Sequence, residues 1–150
     1  MKVPDEVIIR TISNEFCICW FKDLTYGPES LPHFYVCIPI KQKYSLLLCI
    51  ITKQIQNKRK YYSKNIKALS ALVEVSYNDL YILDREYNSV VDCNHAELFT
   101  IDELIERIDP EHGIEIKMGK KEIPHYLKIK IIKAIKLSPV VRPHYKKLLL

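Results

Sequence analysis

Short runs of β-branched, aromatic and cysteine residues, separated by turn-forming residues, fill the first hundred residues of this chain. Such runs are typical of β-strands, because their side chains pack well on a pleated surface. The most hydrophobic run is 44–52, and the run 15–21 carries apolar residues at both odd and even positions. A strand with two apolar faces is buried on both sides, so we predict that 15–21 is a central strand.

The other predicted strands have the same composition and are 7–12, 33–40, 68–76, 79–83 and 89–93, with a further extended piece at 114–118. Between them, the segment 26–32 has the glycine and proline content of a surface loop, and we expect it to form one wall of a site. The segment 53–62 is polar and cationic. It directly follows the most hydrophobic run, which predicts a basic loop after a buried strand.

Helical patterns begin only after residue 100. Thr100 and Glu103 have the spacing of a capping box, which predicts a helix of two to three turns. Apolar residues recur at helical spacing between Pro124 and Ser138, and a proline is well tolerated in a first helical turn. A last short helix is predicted from Pro143 to the end.

Many strands followed by helices, without regular alternation of the two, argue against a doubly wound sheet. We predict a mainly β protein with appended helices (α+β), built as a small barrel or a coiled antiparallel sheet followed by C-terminal helices. The 150 residues fit a single domain. Within it, 1–99 would be the β-rich barrel and 100–150 the helical appendage.

Composition excludes several classes of protein. Three glycines in the whole chain are too few for the phosphate-binding loops of nucleotide-dependent enzymes, so no such cofactor is expected. The five cysteines include no C-x-x-C pair, and the histidines lack metal-ligand spacing, so neither a disulfide framework nor a metal site is expected. The N-terminus lacks the layout of a signal peptide and no apolar run is long enough for a membrane, which predicts a cytoplasmic protein.

Charge is strongly segregated along the chain. Residues 41–67 carry eight cationic side chains and no carboxylate, whereas 68–116 carry twelve carboxylates against two arginines. The segment 117–136 is again basic, with seven lysines against one glutamate. Such segregation can produce separate basic and acidic faces, although folding can also interleave them.

Two positions have the chemistry of a catalytic site. His33 begins a predicted strand after the loop, where an imidazole can act as general acid or base, although a surface or capping histidine is the simpler interpretation. Thr52 and Lys53 end the most hydrophobic strand. Their hydroxyl and ammonium groups could hold a phosphate, whereas the simpler interpretation is a strand end followed by a solvated lysine.

A basic cluster with adjacent aromatic residues is the best nucleic-acid signal. Clustered cations attract a phosphate backbone and neighbouring rings stack on unpaired bases, although a charged run is often only a solvated loop. The candidate RNA-binding residues are Lys58, Arg59, Lys60, Tyr61 and Tyr62.

Cys93 and His95 are two residues apart, so on a strand they would share one face. A Cys/His nucleophile pair also needs a third group that orients the imidazole, and the sequence shows none. Packing is therefore the simpler explanation for this pair.

The order of these segments resembles the MazF/PemK-like ribonucleases of toxin-antitoxin systems. The resemblance rests on the Gly/Pro loop leading into 31–38, and on 47–53 with a basic segment behind it. The stretch 89–94, followed by a capped helix, is similar to elements of divergent relatives. The resemblance covers residues 15–108 by pattern rather than by a diagnostic motif.

The resemblance implies an SH3-like barrel, usually a homodimer, that cuts single-stranded RNA without metal and is bound by an antitoxin protein. Those ribonucleases use a basic side chain near an Arg-Pro step and a Ser or Thr at the end of a later strand. Thr52 fits the second position. Leu31 occupies the arginine's place before Pro32, which leaves His33 or a lysine from elsewhere as the substitute.

The predicted function is therefore a toxin-like endoribonuclease in which the RNA ribose 2′-hydroxyl attacks its own phosphate. His33 would transfer a proton, Thr52 would hold a phosphate oxygen, and Lys53 or Arg59 would stabilise the transition-state charge. Two alternatives remain from the residues alone. One is a non-catalytic nucleic-acid-binding barrel, which would bind with steep salt dependence. The other is a charge-driven protein-interaction domain.

Overall fold

The computed structural model describes residues 3–150. Within them the fold is mixed α/β, with seven strands in one antiparallel sheet and six α-helices around it. The strands are β1 (Cys17–Phe21), β2 (His33–Ile38), β3 (Ser45–Thr52), β4 (Leu72–Val75), β5 (Ser89–Asp92), β6 (Glu97–Thr100) and β7 (Glu115–Met118). The α-helices are α1 (Asp5–Ile12), α2 (Ile55–Tyr61), α3 (Ile66–Ser70), α4 (Ile101–Arg107), α5 (His125–Leu137) and α6 (Pro143–Leu148).

The strand order is β4-β5-β3-β2-β1-β7, and β6 pairs with the same edge of β3 as β5 does. Thr52 at one end of β3 pairs with Val90 of β5, and Ser45 at the other end pairs with Thr100 of β6. A 3-10 turn at Cys93–His95 lies between β5 and β6. The two strands therefore act as one long strand that is interrupted at the middle of β3.

The sheet separates two hydrophobic cores because alternate residues of a strand point to opposite faces. On one face, Val36 and Ile38 pack in a core that includes residues of α5. On the other face, Tyr35 and Cys37 pack with residues of α1 and α4. β1 contributes to both cores and lies between β2 and β7, which confirms the prediction of a central strand with two apolar faces.

The helix predictions after residue 100 are confirmed. Thr100 Oγ1 accepts from the Glu103 N–H at 3.1 Å, and Glu103 Oε1 accepts from the Thr100 N–H at 3.1 Å, which completes the capping box of α4. α5 begins directly after Pro124, and Pro143 is the first residue of α6. The extended piece predicted at 114–118 is β7, which pairs with β1.

The prediction of a strand at 7–12 was wrong, because this segment belongs to α1. Ile9 and Ile12 are buried with the spacing of one helical turn, whereas Val7 is exposed. Asp5 lies in the first turn and Arg10 in the last, where each charge is favourable for the helix dipole. The helical spacing of the apolar residues therefore overrode their β-propensity.

The basic loop predicted at 53–62 contains α2, and the strand predicted at 68–76 is shortened by α3. The Asn65 side chain caps α3 by accepting from the Ala68 N–H at 3.1 Å. The segment 79–83 is a series of turns rather than a strand, because Asp79 Oδ2 accepts from the Ser76 N–H at 2.9 Å and closes a turn.

Helices therefore occur on both sides of residue 99, and the C-terminal part supplies a strand of the sheet. Three α-helices (α1, α2 and α3) lie within 1–99, and β7 lies within 100–150. Across residues 3–150, no helix combines the length and the apolar character that crossing a membrane requires.

Candidate functional site

The face of the sheet that carries Tyr35 is covered by helices over only part of its area, and the rest forms a cavity of about 400 Å³. Its floor is apolar, and its rim combines polar side chains from β2, β3, α2, the turn before β6, and the end of α4. The floor consists of Phe21, Tyr35, Leu48, Ile50 and Phe99, and the rim includes Asp23, Tyr26, His33, Thr52, Gln54, Asn57, Lys58, His95, Glu97 and Arg107.

His33 and Thr52, predicted from the sequence as a catalytic pair, lie side by side at this cavity. The antiparallel register pairs Phe34 with Ile51, and one further step of the ladder places His33 opposite Thr52. Directly opposite residues have Cβ atoms about 5 Å apart. Both side chains line the cavity, so the sheet itself brings the imidazole and the hydroxyl together.

The loop predicted as a site wall borders this region. Tyr26 lines the first cavity, whereas Leu31 and Pro32 line a neighbouring cavity of about 490 Å³ that His33 and Thr52 also border. The two predicted catalytic residues therefore stand at the boundary between two cavities.

The environment of His33 favours a neutral imidazole. Burial lowers the pKa of His33 below its ordinary value, and the positive charge of Lys58 lowers it further, against the opposing effect of a hydrogen bond to the Leu31 backbone. A neutral imidazole at pH 7 has a free nitrogen lone pair and can accept a proton.

Thr52 is buried, and its Oγ1 accepts a hydrogen bond from the Gln54 N–H at 3.2 Å. This bond uses one lone pair of the hydroxyl and leaves its hydrogen to donate. Thr52 therefore has the arrangement needed to donate to an oxygen of a ligand in the cavity.

The basic segment predicted at 53–62 is partly neutralised by carboxylates of the acidic segment 68–116. Lys53 Nζ lies 2.9 Å from Oδ2 of Asp84, and Arg59 Nη2 lies 3.7 Å from Oε2 of Glu74. Lys53 borders the second cavity and not the first. Folding therefore interleaves the two charged segments along α2, instead of separating them into two faces.

Lys58 lines the first cavity, and its Nζ lies 3.0 Å from Oδ2 of the fully buried Asp92. The hydroxyl of Tyr62 donates to the same oxygen at 3.0 Å, and Tyr62 is only 8% exposed. Tyr62 is therefore a structural residue and not a surface for base stacking. Its neighbour Tyr61 is 80% exposed, and Lys60 is also exposed.

A charged network that the sequence did not predict forms the opposite side of the cavity. Arg107 Nη2 lies 2.6 Å from Asp23 Oδ2, and Arg107 Nη1 lies 2.8 Å from Glu97 Oε2. The other Glu97 oxygen, Oε1, lies 3.5 Å from Nε2 of His95. Asp23 and Arg107 are 84 residues apart in the chain, so no local spacing could reveal their contact.

This network sets the ionisation of its members. The hydrogen bond to Glu97 raises the pKa of His95 above its ordinary value, although burial acts in the opposite direction. The same hydrogen bond lowers the pKa of Glu97, and the charge of Arg107 lowers it further. Burial alone would raise the pKa of Asp23, but hydrogen bonds from Arg107 and from the Thr25 amide lower it.

Cys93 and His95 do not form a reactive pair. Cys93 is completely buried in the core on the other face of the sheet, whereas His95 lines the cavity. The 3-10 turn breaks the strand alternation that would have placed them on one face. All five cysteines are free and buried.

A group of possible metal ligands lies outside the lining of the cavity, at Asp109, Glu111 and His112, whose ligand atoms are within 4.8 Å of one another. His112 Nδ1 already lies 3.0 Å from Asp109 Oδ2, and Lys22 Nζ lies 3.9 Å from that oxygen. The carboxylate thus has partners within the chain, and we assign no metal to it.

No model of a known protein family matches this sequence, and no curated protein matches it either. A function for the chain therefore has to be argued from the geometry and chemistry of the cavity.

Proposed function

We propose that this protein is a metal-independent endoribonuclease that acts on single-stranded RNA, as its resemblance to MazF/PemK-like toxin ribonucleases implies. The observation that carries the proposal is the placement of His33 opposite Thr52 at a cavity that Lys58 also lines. In RNA cleavage by transesterification, a proton acceptor activates the 2′-hydroxyl, and a hydroxyl donor and a cation stabilise the charge on the phosphate.

In the proposed reaction, the ribose 2′-hydroxyl attacks the adjacent phosphate, the bond between phosphorus and the 5′-oxygen breaks, and the 5′-oxygen gains a proton and leaves as a hydroxyl. His33, neutral at pH 7, accepts the 2′-hydroxyl proton, and Thr52 donates a hydrogen bond to a non-bridging phosphate oxygen. Lys58 stabilises the charge that develops on the phosphate in the transition state. Lys58 takes the role expected of Lys53 or Arg59, because it is the cation of α2 that reaches this cavity.

Single-stranded RNA is the favoured substrate because its bases can leave the stack and reach an exposed ring. Tyr61 offers such a ring at the end of α2, next to the exposed Lys60.

The proposal includes an SH3-like coiling of the sheet, which the irregular register of β1 against β7 favours. It also includes cytoplasmic action, a homodimer and neutralisation by an antitoxin protein.

The test is cleavage of an end-labelled single-stranded RNA by the purified protein with EDTA present. We expect products with a 2′,3′-cyclic phosphate and a 5′-hydroxyl, and a loss of at least about 100-fold in rate for His33→Ala and for Thr52→Ala. His144→Ala is the matched control, because His144 is exposed on α6 and does not line the cavity. Full activity in both site variants would overturn the assignment.

Binding without cleavage is the second candidate function. The exposed Tyr61 and Lys60 support RNA binding that needs no proton transfer. If the wild-type protein binds labelled RNA with steep salt dependence but leaves it intact with and without EDTA, a binding domain replaces the ribonuclease.

A further inference from the structure

The cavity contains a second imidazole, on the side of β3 opposite to His33. His33 belongs to β2, which pairs with one edge of β3, whereas His95 ends the turn that joins β5 and β6 at the other edge. Strands on either side of a common neighbour are about 10 Å apart. Both imidazoles line the same cavity of about 400 Å³, and a phosphate group bound in it would lie between the two edges of β3.

His95 also has an orienting partner. Its Nε2 faces Glu97 Oε1 at 3.5 Å, and the other Glu97 oxygen is held by Arg107 at 2.8 Å. Arg107 is itself fixed by Asp23 at 2.6 Å. In the imidazolium form both ring nitrogens carry a hydrogen, so the bond to Glu97 engages Nε2 and leaves the Nδ1 hydrogen to donate.

Building on the proposed ribonuclease function, we propose that His95 is the general acid that protonates the leaving 5′-oxygen, with Glu97 as its positioning residue. The 2′-oxygen forms a bond to phosphorus while its proton passes to His33. The bond between phosphorus and the 5′-oxygen breaks, and that oxygen takes the proton of His95. The products are a 2′,3′-cyclic phosphate and a 5′-hydroxyl, so atoms and charge balance without any further reactant.

The charges around the two imidazoles support this division of roles. His95 faces the carboxylates of Glu97 and Asp92 and the ammonium of Lys58, and the hydrogen bond to Glu97 raises its pKa. His33 faces Lys58, and burial lowers its pKa. Opposite shifts in a pair of titratable groups at one site are characteristic of a general base and a general acid.

The experiment compares two substrates of the same sequence, each with a single scissile ribonucleotide. One has the natural 5′-oxygen as leaving group, and the other has sulfur in its place. A thiolate leaves without protonation, because its conjugate acid is far stronger than that of an alkoxide. Loss of a general acid therefore slows cleavage of the oxygen substrate only.

We expect His95→Asn to lower kcat on the oxygen substrate by about 100-fold or more and on the sulfur substrate by less than about threefold. His33→Asn lowers kcat on both substrates. Wild-type kcat falls at high pH as the acid loses its proton, and Glu97→Gln moves this fall to lower pH because it removes a negative charge beside His95. Thermal unfolding of each variant checks that it is folded.

Equal losses of kcat on both substrates, or unchanged kcat on the oxygen substrate, would overturn the assignment of His95 while leaving the ribonuclease function in place. A wild-type protein that cleaves neither substrate overturns the proposed function itself. Glu97→Gln gives an independent reading if His95→Asn fails to fold, since an unshifted pH profile also contradicts the proposal.

Discussion

Lys58 Nζ lies 3.0 Å from Oδ2 of Asp92, a carboxylate with no exposed surface. The Tyr62 hydroxyl donates to the same oxygen at 3.0 Å, and the Asn94 N–H donates to the other oxygen at 3.1 Å. A buried carboxylate is tolerated only when it is paired and hydrogen-bonded. The pair therefore fixes α2 on β5, and it holds one wall of the cavity in place.

Replacing Lys58 with methionine should destabilise the protein strongly. The change leaves Asp92 buried without its counter-charge, which costs about 3–5 kcal/mol in the free energy of unfolding. The measurement is urea denaturation followed by circular dichroism at pH 7. Lys60→Met, an exposed position on the same helix, is the matched control and should change the free energy by less than about 0.5 kcal/mol.

The double variant Lys58→Met/Asp92→Asn separates charge from packing. Removing both charges should restore most of the lost stability, because no uncompensated charge remains buried. If the double variant is as unstable as Lys58→Met alone, the ion pair is not the origin of the loss.

The ion pair of Asp23 with Arg107 should make the stability sensitive to acid. The pKa of Asp23 is lowered in the folded state, so its stabilising contribution is present above the ordinary value of 3.8 and is lost as the pH falls through the folded value. We expect Asp23→Asn to lose less stability between pH 7 and pH 3 than the wild type does. The free energies of unfolding at the two pH values provide the measurement.

Glu29→Gln is the control for this comparison, because Glu29 is exposed in the neighbouring loop. It should keep the wild-type difference between the two pH values. An Asp23→Asn variant with the same acid sensitivity as the wild type would show that other carboxylates govern the acid response.

Local patterns predicted those parts of the fold that depend on local chemistry. The capping box at Thr100 and the doubly apolar β1 are examples, because hydrogen bonding and burial there follow directly from the residue types. His33 was predicted at the start of one strand and Thr52 at the end of another, but the sheet register that places them opposite each other was not predicted. Helix α1 was missed because its apolar residues also suit a strand. Helix α2 was missed because its positive charge suggested a loop.

The other side of the cavity could not be predicted, because it depends on contacts between distant segments. Arg107 ends α4, and its contact with Asp23 depends on the pairing of β6 with β3, because α4 directly follows β6. His95 was considered in the sequence only beside Cys93, and packing was the simpler explanation for both residues. The turn between β5 and β6 redirects His95 toward Glu97 and the cavity.

The capping box of α4 gives a prediction on stability alone. Thr100→Ala removes the hydroxyl that accepts from the Glu103 N–H, and it should lower the free energy of unfolding by about 1 kcal/mol. Thr100→Ser retains the hydroxyl and should remain within about 0.5 kcal/mol of the wild type. Urea denaturation of the three proteins side by side measures both values, and equal losses in the two variants would contradict the role of the cap.

Tyr61 and Tyr62 are adjacent in sequence but should respond in opposite ways to substitution. Tyr61 is 80% exposed and Tyr62 is 8% exposed. We expect Tyr61→Ala to weaken RNA binding about tenfold, because base stacking on an aromatic ring contributes about 1–3 kcal/mol. Tyr62→Phe should leave RNA binding unchanged but lower the free energy of unfolding by about 1.5–3 kcal/mol, since it removes a hydrogen bond to the buried Asp92 carboxylate.

Fluorescence anisotropy of labelled single-stranded RNA measures the effect on RNA binding, with His33→Ala present in each variant to prevent cleavage. Urea denaturation measures the effect on the free energy of unfolding. Unchanged RNA binding in Tyr61→Ala would show that RNA does not contact the exposed ring at the end of α2.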